Sequence, residues 1–371
     1  MRKIRLTREE KIGAENIKEG NRAVTFTGTN EIMYKANFHS RTAINILKPI
    51  FRFKAKNEDE LYKNIYDFDW EQYLGIKNTF AVDPTVFSTR FKHSQYTALK
   101  TKDAIVDQFR NKFGRRPYID TDDPDVLLNL HISETDCTIS LNSSGEPLYK
   151  RGYRVATNEA PLNEVMAAGL ISLSGWQPGT NLVDLMCGSG TILIEAALIA
   201  NKVPPGIFRK AFGFEKWPDY DREKFLDISS EEDDTPAITQ GKFLGIDISN
   251  NAINIARNNA KNAFLHSKIE FINDDFFNFK NELENGVIIS NPPYGERIKP
   301  EKIDELYINL GSTLKHKYPN FSAWILSSNF DAMKKIGLHP EKKIKLLNAS
   351  LDCTFNKFTI YEGSKKGKNL V

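Results

Sequence analysis

Residues 183–197 read VDLMCGSGTILIEAA. A short apolar run ends at Asp184, a glycine turn follows at Gly188-Ser189-Gly190, and the spacing predicts a helix from Thr191 through Ala200. The two glycines let backbone approach a bound group closely, and the helix N-terminus presents N–H groups to it. The third glycine of a dinucleotide loop is missing, as is the Gly-Lys-Ser/Thr ending of a phosphate-cradling loop. A tight strand-to-helix turn with no ligand has the same spacing, so the meaning depends on the neighbouring strand ends.

Downstream, strands and helices alternate. Strands are expected at Leu182–Met186, Phe243–Ile248, Ile269–Asn273, Val287–Ser290 and Ala323–Ser328. Helices are expected at Ser249–Ala263 and Lys302–His316, with a closing hairpin at Ile344–Ser350 and Cys353–Tyr361. This order predicts an α/β architecture, a doubly wound parallel sheet with an antiparallel edge. Just upstream, a helix is expected to open near Pro161, with Leu162, Val165, Met166, Ala168 and Gly169 on one packable face. An unusual insertion, about Pro204–Gln240, is aromatic and then acidic.

Asp247 ends the second strand, in GIDIS, where a carboxylate can accept both hydroxyls of a ribose. The competing reading is an acid stabilised by a helix N-terminus. Asp275, in NDDFF after the third strand, stands where a base edge could be read, and Asp274 competes with it. Asp184, Cys187, Gly188, Gly190, Thr191, Asp247 and Asp275 would then line one crevice that suits an adenosine-bearing cofactor. Cys187 in the turn reads as a small packing residue rather than a nucleophile, because no His or Asp partner accompanies it.

The second informative stretch is ISNPPYGERI, residues 289–298. An apolar strand runs into Asn291-Pro292-Pro293-Tyr294. Two prolines stiffen the exit and remove two N–H donors. An asparagine oxygen beside a proline carbonyl makes two acceptors, which suits an exocyclic –NH2. Tyr294 adds a flat face on which a base can stack. A merely stiff strand exit would not need the asparagine, both prolines and the aromatic together.

Residues 1–154 read as α+β. Strands are expected at Ala23–Thr27, Phe51–Lys54, Thr85–Lys92, Val126–Ser133 and Cys137–Leu141. Helices are expected at Glu31–Leu47, Glu58–Tyr66 after Asn57, and Thr101–Phe113, the last capped by Thr101 and ended by Gly114. This part holds 26 Lys and Arg against 21 Asp and Glu, whereas the rest holds 25 against 27. A basic module on a slightly acidic one fits nucleic-acid binding, although a surplus of five charges also fits an ordinary solvated surface. Of 371 residues 27% are charged and 40% hydrophobic, with no apolar run of membrane-spanning length and no signal-peptide core. Cys137, Cys187 and Cys353 are far apart and odd in number, and the six histidines are scattered, which argues against a disulfide framework and a metal site. A cytoplasmic protein with neither membrane nor metal partner is expected.

NPPY after a fourth strand, with GSG before it, resembles the S-adenosylmethionine-dependent amino methyltransferases. The longer NPPYGERI, with DLMCGSGTILIEAA and the lead-in EPLYKRGYR (146–154) and EAPLNE (159–164), is similar to the THUMP-domain RNA guanine-N2-methyltransferases. The resemblance covers about residues 20–371. It implies a Rossmann-like class I methyltransferase domain over 151–371, preceded by a THUMP RNA-binding domain over 56–150 and a ferredoxin-like segment over 1–55. Met1–Glu15 does not match the usual opening of that segment, which is therefore expected to be incomplete. The likeness is to the N-terminal half of a bifunctional enzyme, so the guanine-N7 activity of the second half is not expected here.

The resemblance further implies S-adenosylmethionine as cofactor and RNA, of the large ribosomal subunit, as partner. Asn291, Pro292 and Tyr294 are the expected catalytic residues. Pro293, Glu296 and Arg297, with Arg115, Arg116, Lys100 and Lys102 at a helix start, are candidate substrate contacts. Transfer-RNA guanine methylation, DNA adenine-N6 methylation and a non-enzymatic assembly role are the alternatives.

Overall fold

The computed structural model describes residues 12–20, 22–155, 162–231, 240–294 and 300–362. Strands β1 (Glu15–Glu19) and β2 (Val24–Thr27) form an antiparallel pair that leads into helix α1 (Asn30–His39). A five-stranded sheet follows, built from β3 (Leu47–Lys54), β4 (Thr79–Phe87), β5 (Tyr118–Ile119), β6 (Val126–Ser133) and β7 (Asp136–Asn142) in the order β3-β7-β6-β4-β5. Helices α2 (Glu58–Asp67) and α3 (Ser94–Phe113) belong to the same half.

Three expectations for this half are corrected. The helix foreseen over Glu31–Leu47 ends at His39, because Ser40 is extended and Leu47 starts β3, paired with Asn142. Strand pairing with β7 overrides the local helical spacing of Ile44 and Leu47, which are left exposed. The strand foreseen at Thr85–Lys92 is β4, which starts six residues earlier, at Thr79, and closes at Phe87 after running through Pro84, which stands opposite Leu130 in a parallel pair. Helix α3 begins at Ser94, so Thr101 is no cap. It is buried inside the helix, where its Oγ1 donates to the Thr97 carbonyl at 2.8 Å. Lys100 and Lys102 consequently sit within the helix rather than at its start.

The second half begins with α4 (Glu164–Ser174), three residues later than the Pro161 reading, because Asn163 caps it by accepting from the Met166 amide at 2.7 Å. Then come β8 (Leu182–Asp184), α5 (Thr191–Ala200), α6 (Arg222–Ser230), β9 (Phe243–Asp247), α7 (Asn250–Asn262), β10 (Ile269–Asn273) and β11 (Gly286–Ser290). The chain closes with α8 (Pro300–Lys317), β12 (Phe321–Ser327), α9 (Phe330–Lys335) and the hairpin β13 (Lys342–Asn348) and β14 (Leu351–Thr359). Seven strands lie in the order β10-β9-β8-β11-β12-β14-β13. The first five are parallel, and β14 runs antiparallel to both neighbours. This is the doubly wound sheet with an antiparallel edge that the alternating pattern predicts. β8 lies between β9 and β11, so chain order reverses there and opens a crevice at the carboxyl ends of the strands.

The insertion after α5 joins the two halves. Phe212, Phe214, Trp217, Phe225 and Ile228 pack into the core of the N-terminal half, with the Phe214 and Tyr34 ring centroids 4.5 Å apart. The Arg209 guanidinium donates to the carbonyls of Ser144, Glu146, Pro147 and Lys150. Arg151, 1% exposed, donates to the Arg41 carbonyl at 2.6 Å and the Leu148 carbonyl at 2.7 Å, and meets Glu195 of α5 at 3.5 Å. Gly152 beside it has φ +111, and a Cβ there would lie 2.1 Å from the Phe208 carbonyl oxygen, so only glycine fits. A fragment of residues 151–371 is therefore expected to expose the insertion's aromatic cluster. It should bind a hydrophobic dye and aggregate, whereas the full chain should not, and dye fluorescence with light scattering checks this. Among the described residues no helix is long and apolar enough to cross a membrane, and no His, Cys, Asp or Glu group could hold a metal ion.

Candidate active site

The glycine turn after β8 takes its shape from two left-handed residues, Gly188 at φ +53 and Gly190 at φ +79. They differ in what surrounds them. A Cβ on Gly190 would come within 2.9 Å of the Phe271 ring and 3.1 Å of Ala256, so this glycine lets α5 pack against the sheet. A Cβ on Gly188 would meet nothing within 4 Å, so here backbone faces open space that a ligand can enter. Asp247, half-buried at the end of β9, binds this turn directly. Its Oδ2 accepts from the Gly188 amide at 2.9 Å and its Oδ1 accepts from the Ser249 amide at 2.9 Å. Each carboxylate oxygen keeps a second acceptor direction, which suits two ribose hydroxyls.

Asp275 and Asp274, left undecided by the sequence, are both half-buried after β10. Asp274 Oδ1 accepts from the Asp275 amide at 2.8 Å, and Asp275 Oδ1 accepts from the Phe277 amide at 2.9 Å, so each shapes the loop. Asp184 and Cys187 are only 2% and 6% exposed. Asp184 Oδ1 takes the Ser290 hydroxyl at 2.6 Å and the Met186 amide at 3.3 Å, which ties the end of β8 to the end of β11. Thr191 Oγ1 accepts from Arg154 Nη2 at 2.9 Å, and Arg154 also meets Glu164 at 2.9 Å. Asp184 and Thr191 thereby tie the two ends of the turn to β11 and to Arg154. Burial raises the Cys187 thiol well above its ordinary pKa, which leaves it an inert packing group.

Burial also pushes Asp184 up to about 7, against the Ser290 and Met186 hydrogen bonds that favour its ionised form. Its folded pKa lies above its unfolded one, so its contribution to stability is fully present below about pH 4 and lost as pH rises through about 7. Asp184→Asn keeps the acceptor for Ser290 and removes the titration. Thermal denaturation of the variant is expected to lack the fall in stability that the parent shows between those pH values.

Across the crevice, Ser290 ends β11 and the chain leaves through Asn291-Pro292-Pro293-Tyr294. Asn291 Oδ1 is buried and has no hydrogen-bond partner among the described residues. An unpaired buried acceptor is costly, and a group that donates to it recovers that cost. Pro292 is buried, Pro293 exposed and Tyr294 half-buried. Glu296 and Arg297 lie outside the described residues. On the N-terminal half, Arg115 and Arg116 are exposed just past α3, while Lys102 pairs with Asp103 at 3.1 Å. Lys100 lies 4.0 Å from Asp59 and 5.8 Å from the ring centroids of both Tyr62 and Tyr96. Ser290 was missed by the sequence reading although a polar residue closing an apolar strand was visible. Arg154 gave no local signal.

A crevice at the first and fourth strands of such a sheet, with glycine backbone and the Asp247 carboxylate on one side and the buried Asn291 oxygen on the other, fits a Rossmann-like, S-adenosylmethionine-dependent methyltransferase. The open face of Gly188 and the remaining lone pairs of Asp247 fit that cofactor. Comparison with known proteins agrees. Residues 151–357 match the RMKL-like methyltransferase domain, residues 55–142 the THUMP domain, and residues 8–47 the ferredoxin-like domain of the RlmL type. Over 355 residues the chain is 36% identical to a Synechocystis sp. protein that carries the name RNA methyltransferase slr0064, covering 94% of this chain and 92% of that one. It is also 36% identical over 356 residues to the ribosomal RNA large subunit methyltransferase K/L of Shewanella pealeana. That alignment covers 94% of this chain but 50% of the relative, so the chain spans about half the length of the K/L proteins. A crystal structure of a methyltransferase complexed with S-adenosylhomocysteine superposes with a TM-score of 0.84 at 32% identity, over 97% of this chain and 96% of that one. The chain belongs to the THUMP-domain RNA methyltransferase family, with a catalytic domain of the RMKL-like type.

Proposed function

We propose that this chain methylates the exocyclic N2 of a guanine in RNA, and that the RNA is that of the large ribosomal subunit. The observation that carries the reading is the buried Oδ1 of Asn291 at the mouth of β11, which has no partner among the described residues. Asn291 and the Pro292 carbonyl would each accept one hydrogen of the amine. Two acceptors on one –NH2 favour a pyramidal nitrogen and aim its lone pair. Tyr294 would stack on the base once it has left its helix. When bound, S-adenosylmethionine supplies the electrophilic sulfonium methyl. No strong base is needed beforehand, because the nitrogen becomes acidic only as the new bond forms and its proton can pass to water.

Guanine in RNA is favoured over adenine in DNA by the THUMP domain joined to the catalytic one, by the basic surplus of residues 1–154, and by exposed Arg115 and Arg116. The K/L relatives carry large-subunit ribosomal RNA methylation in their name, which supports the substrate. Transfer of labelled methyl from cofactor to ribosomal RNA, transfer RNA and DNA, followed by nucleoside analysis, tests the proposal. N2-methylguanosine in large-subunit RNA is expected. Labelled N6-methyladenine in DNA would falsify it, and label confined to transfer RNA would move the substrate. Tyr294→Ala should lose base stacking, about 1–3 kcal/mol or roughly 5- to 150-fold in transfer efficiency, with cofactor affinity retained. Full efficiency in that variant would remove Tyr294 from the base site.

A further inference from the structure

Tyr294 is gripped at both ends by asparagines from elements remote in sequence. Asn329 Nδ2 donates to the Tyr294 carbonyl at 3.4 Å. Asn329 is itself immobilised, since its Oδ1 accepts from the Ala332 amide at 2.9 Å as the cap of α9 and its own amide donates to Ser327 Oγ at 3.0 Å. At the far end of the ring, Asn348 Nδ2 donates to the Tyr294 hydroxyl oxygen at 3.1 Å. Asn348 is the last residue of β13 and pairs with Leu351 across a two-residue turn. Such turns favour Asn-Gly, yet Ala349 occupies this one at φ +53. The tight turn fixes the register of the hairpin and with it the position of the Asn348 amide.

We infer that Asn348 is a positioning residue for the target base: it holds the Tyr294 ring in the orientation that receives the purine, so the edge hairpin of the sheet is part of the base site. This rests on the reading of Tyr294 as the stacking platform. A ring fixed before the base arrives needs no ordering when stacking occurs, which favours the in-line arrangement over other poses. The effect therefore falls on the rate of methyl transfer more than on cofactor binding. It also gives the tyrosine hydroxyl a role beyond stacking, as the handle by which the ring is held.

The test is a double-mutant cycle on the full-length chain, with in-vitro-transcribed large-subunit ribosomal RNA, single-turnover methyl transfer and calorimetric cofactor affinity as readouts. Asn348→Ala and the similarly sized Asn348→Leu, neither of which can hydrogen-bond the hydroxyl, should each slow transfer about 5-fold, the scale of one neutral hydrogen bond. Cofactor affinity and melting temperature should stay at the parent values. Tyr294→Phe should show a similar loss, and adding Asn348→Ala to it should cost nothing further, because the bond is already gone. Equal losses that add in the double variant would overturn the positioning role, as would parent rates in Asn348→Ala beside an impaired Tyr294→Ala. Parent rates in Tyr294→Ala would overturn the platform reading itself, so the two failures are distinguishable.

Discussion

Asn291→Ala is expected to lower single-turnover methyl transfer by roughly 100-fold or more while leaving cofactor affinity nearly unchanged. The variant removes the buried Oδ1 that has no partner among the described residues. The Pro292 carbonyl alone cannot hold both amine hydrogens, so the nitrogen loses its fixed direction. The parent carries the cost of a desolvated, unsatisfied acceptor until substrate arrives, so the folded variant should be no less stable than the parent. This combination of lost rate and kept stability separates a substrate contact from a structural asparagine. Stopped assays at saturating cofactor, with thermal denaturation alongside, check both parts. A normal single-turnover rate would sink the amino-methyltransferase mechanism.

Asp247→Ala should weaken S-adenosylmethionine binding by an order of magnitude or more, since a charge-assisted hydrogen bond is worth about 1.5–3 kcal/mol. The structure gives this residue a second duty, because its two oxygens also accept from the Gly188 and Ser249 amides. Removing the carboxylate would take away the proposed ribose acceptor and free the turn whose face at Gly188 is open to a ligand. Asp247→Asn should fall between parent and alanine, because it keeps one acceptor but directs its NH2 at a backbone amide or at a ribose hydroxyl. Calorimetry at matched pH decides. Unchanged affinity in the alanine variant would remove Asp247 from the site.

The crevice residues were legible because the fold of a doubly wound sheet follows from local order. Each strand ends in a recognisable feature, and parallel strands joined by right-handed crossovers bring those ends to one side. Gly188 and Asp247 meet in the structure for that reason, although 59 residues separate them, and Asn291 follows β11, the strand on the other side of β8. The bracing of the site was less legible. Asp184 reads like a ligand residue from its place at a strand end, yet its partner is Ser290, 106 residues away. Which face of a strand end a side chain takes depends on the neighbouring strand, and no local pattern carries that information.

Local periodicity and the two motifs were enough to indicate the α/β architecture, the glycine turn and the family, because these depend on residue spacing within a few turns or strands. The tertiary structure alone decided three things. It ended α1 at His39, since pairing of β3 with β7 outweighs a weak helical pattern. It placed the insertion's aromatics in the N-terminal core, because burying Phe212, Phe214, Trp217 and Phe225 needs a surface supplied by the other half. It brought Asn348 to the Tyr294 hydroxyl across 54 residues, because β14 enters the sheet antiparallel between β12 and β13 and carries the hairpin's tip to the site. Each is a contact between segments whose partner cannot be read from either segment, since the free energy that selects it arises only when both surfaces leave water together.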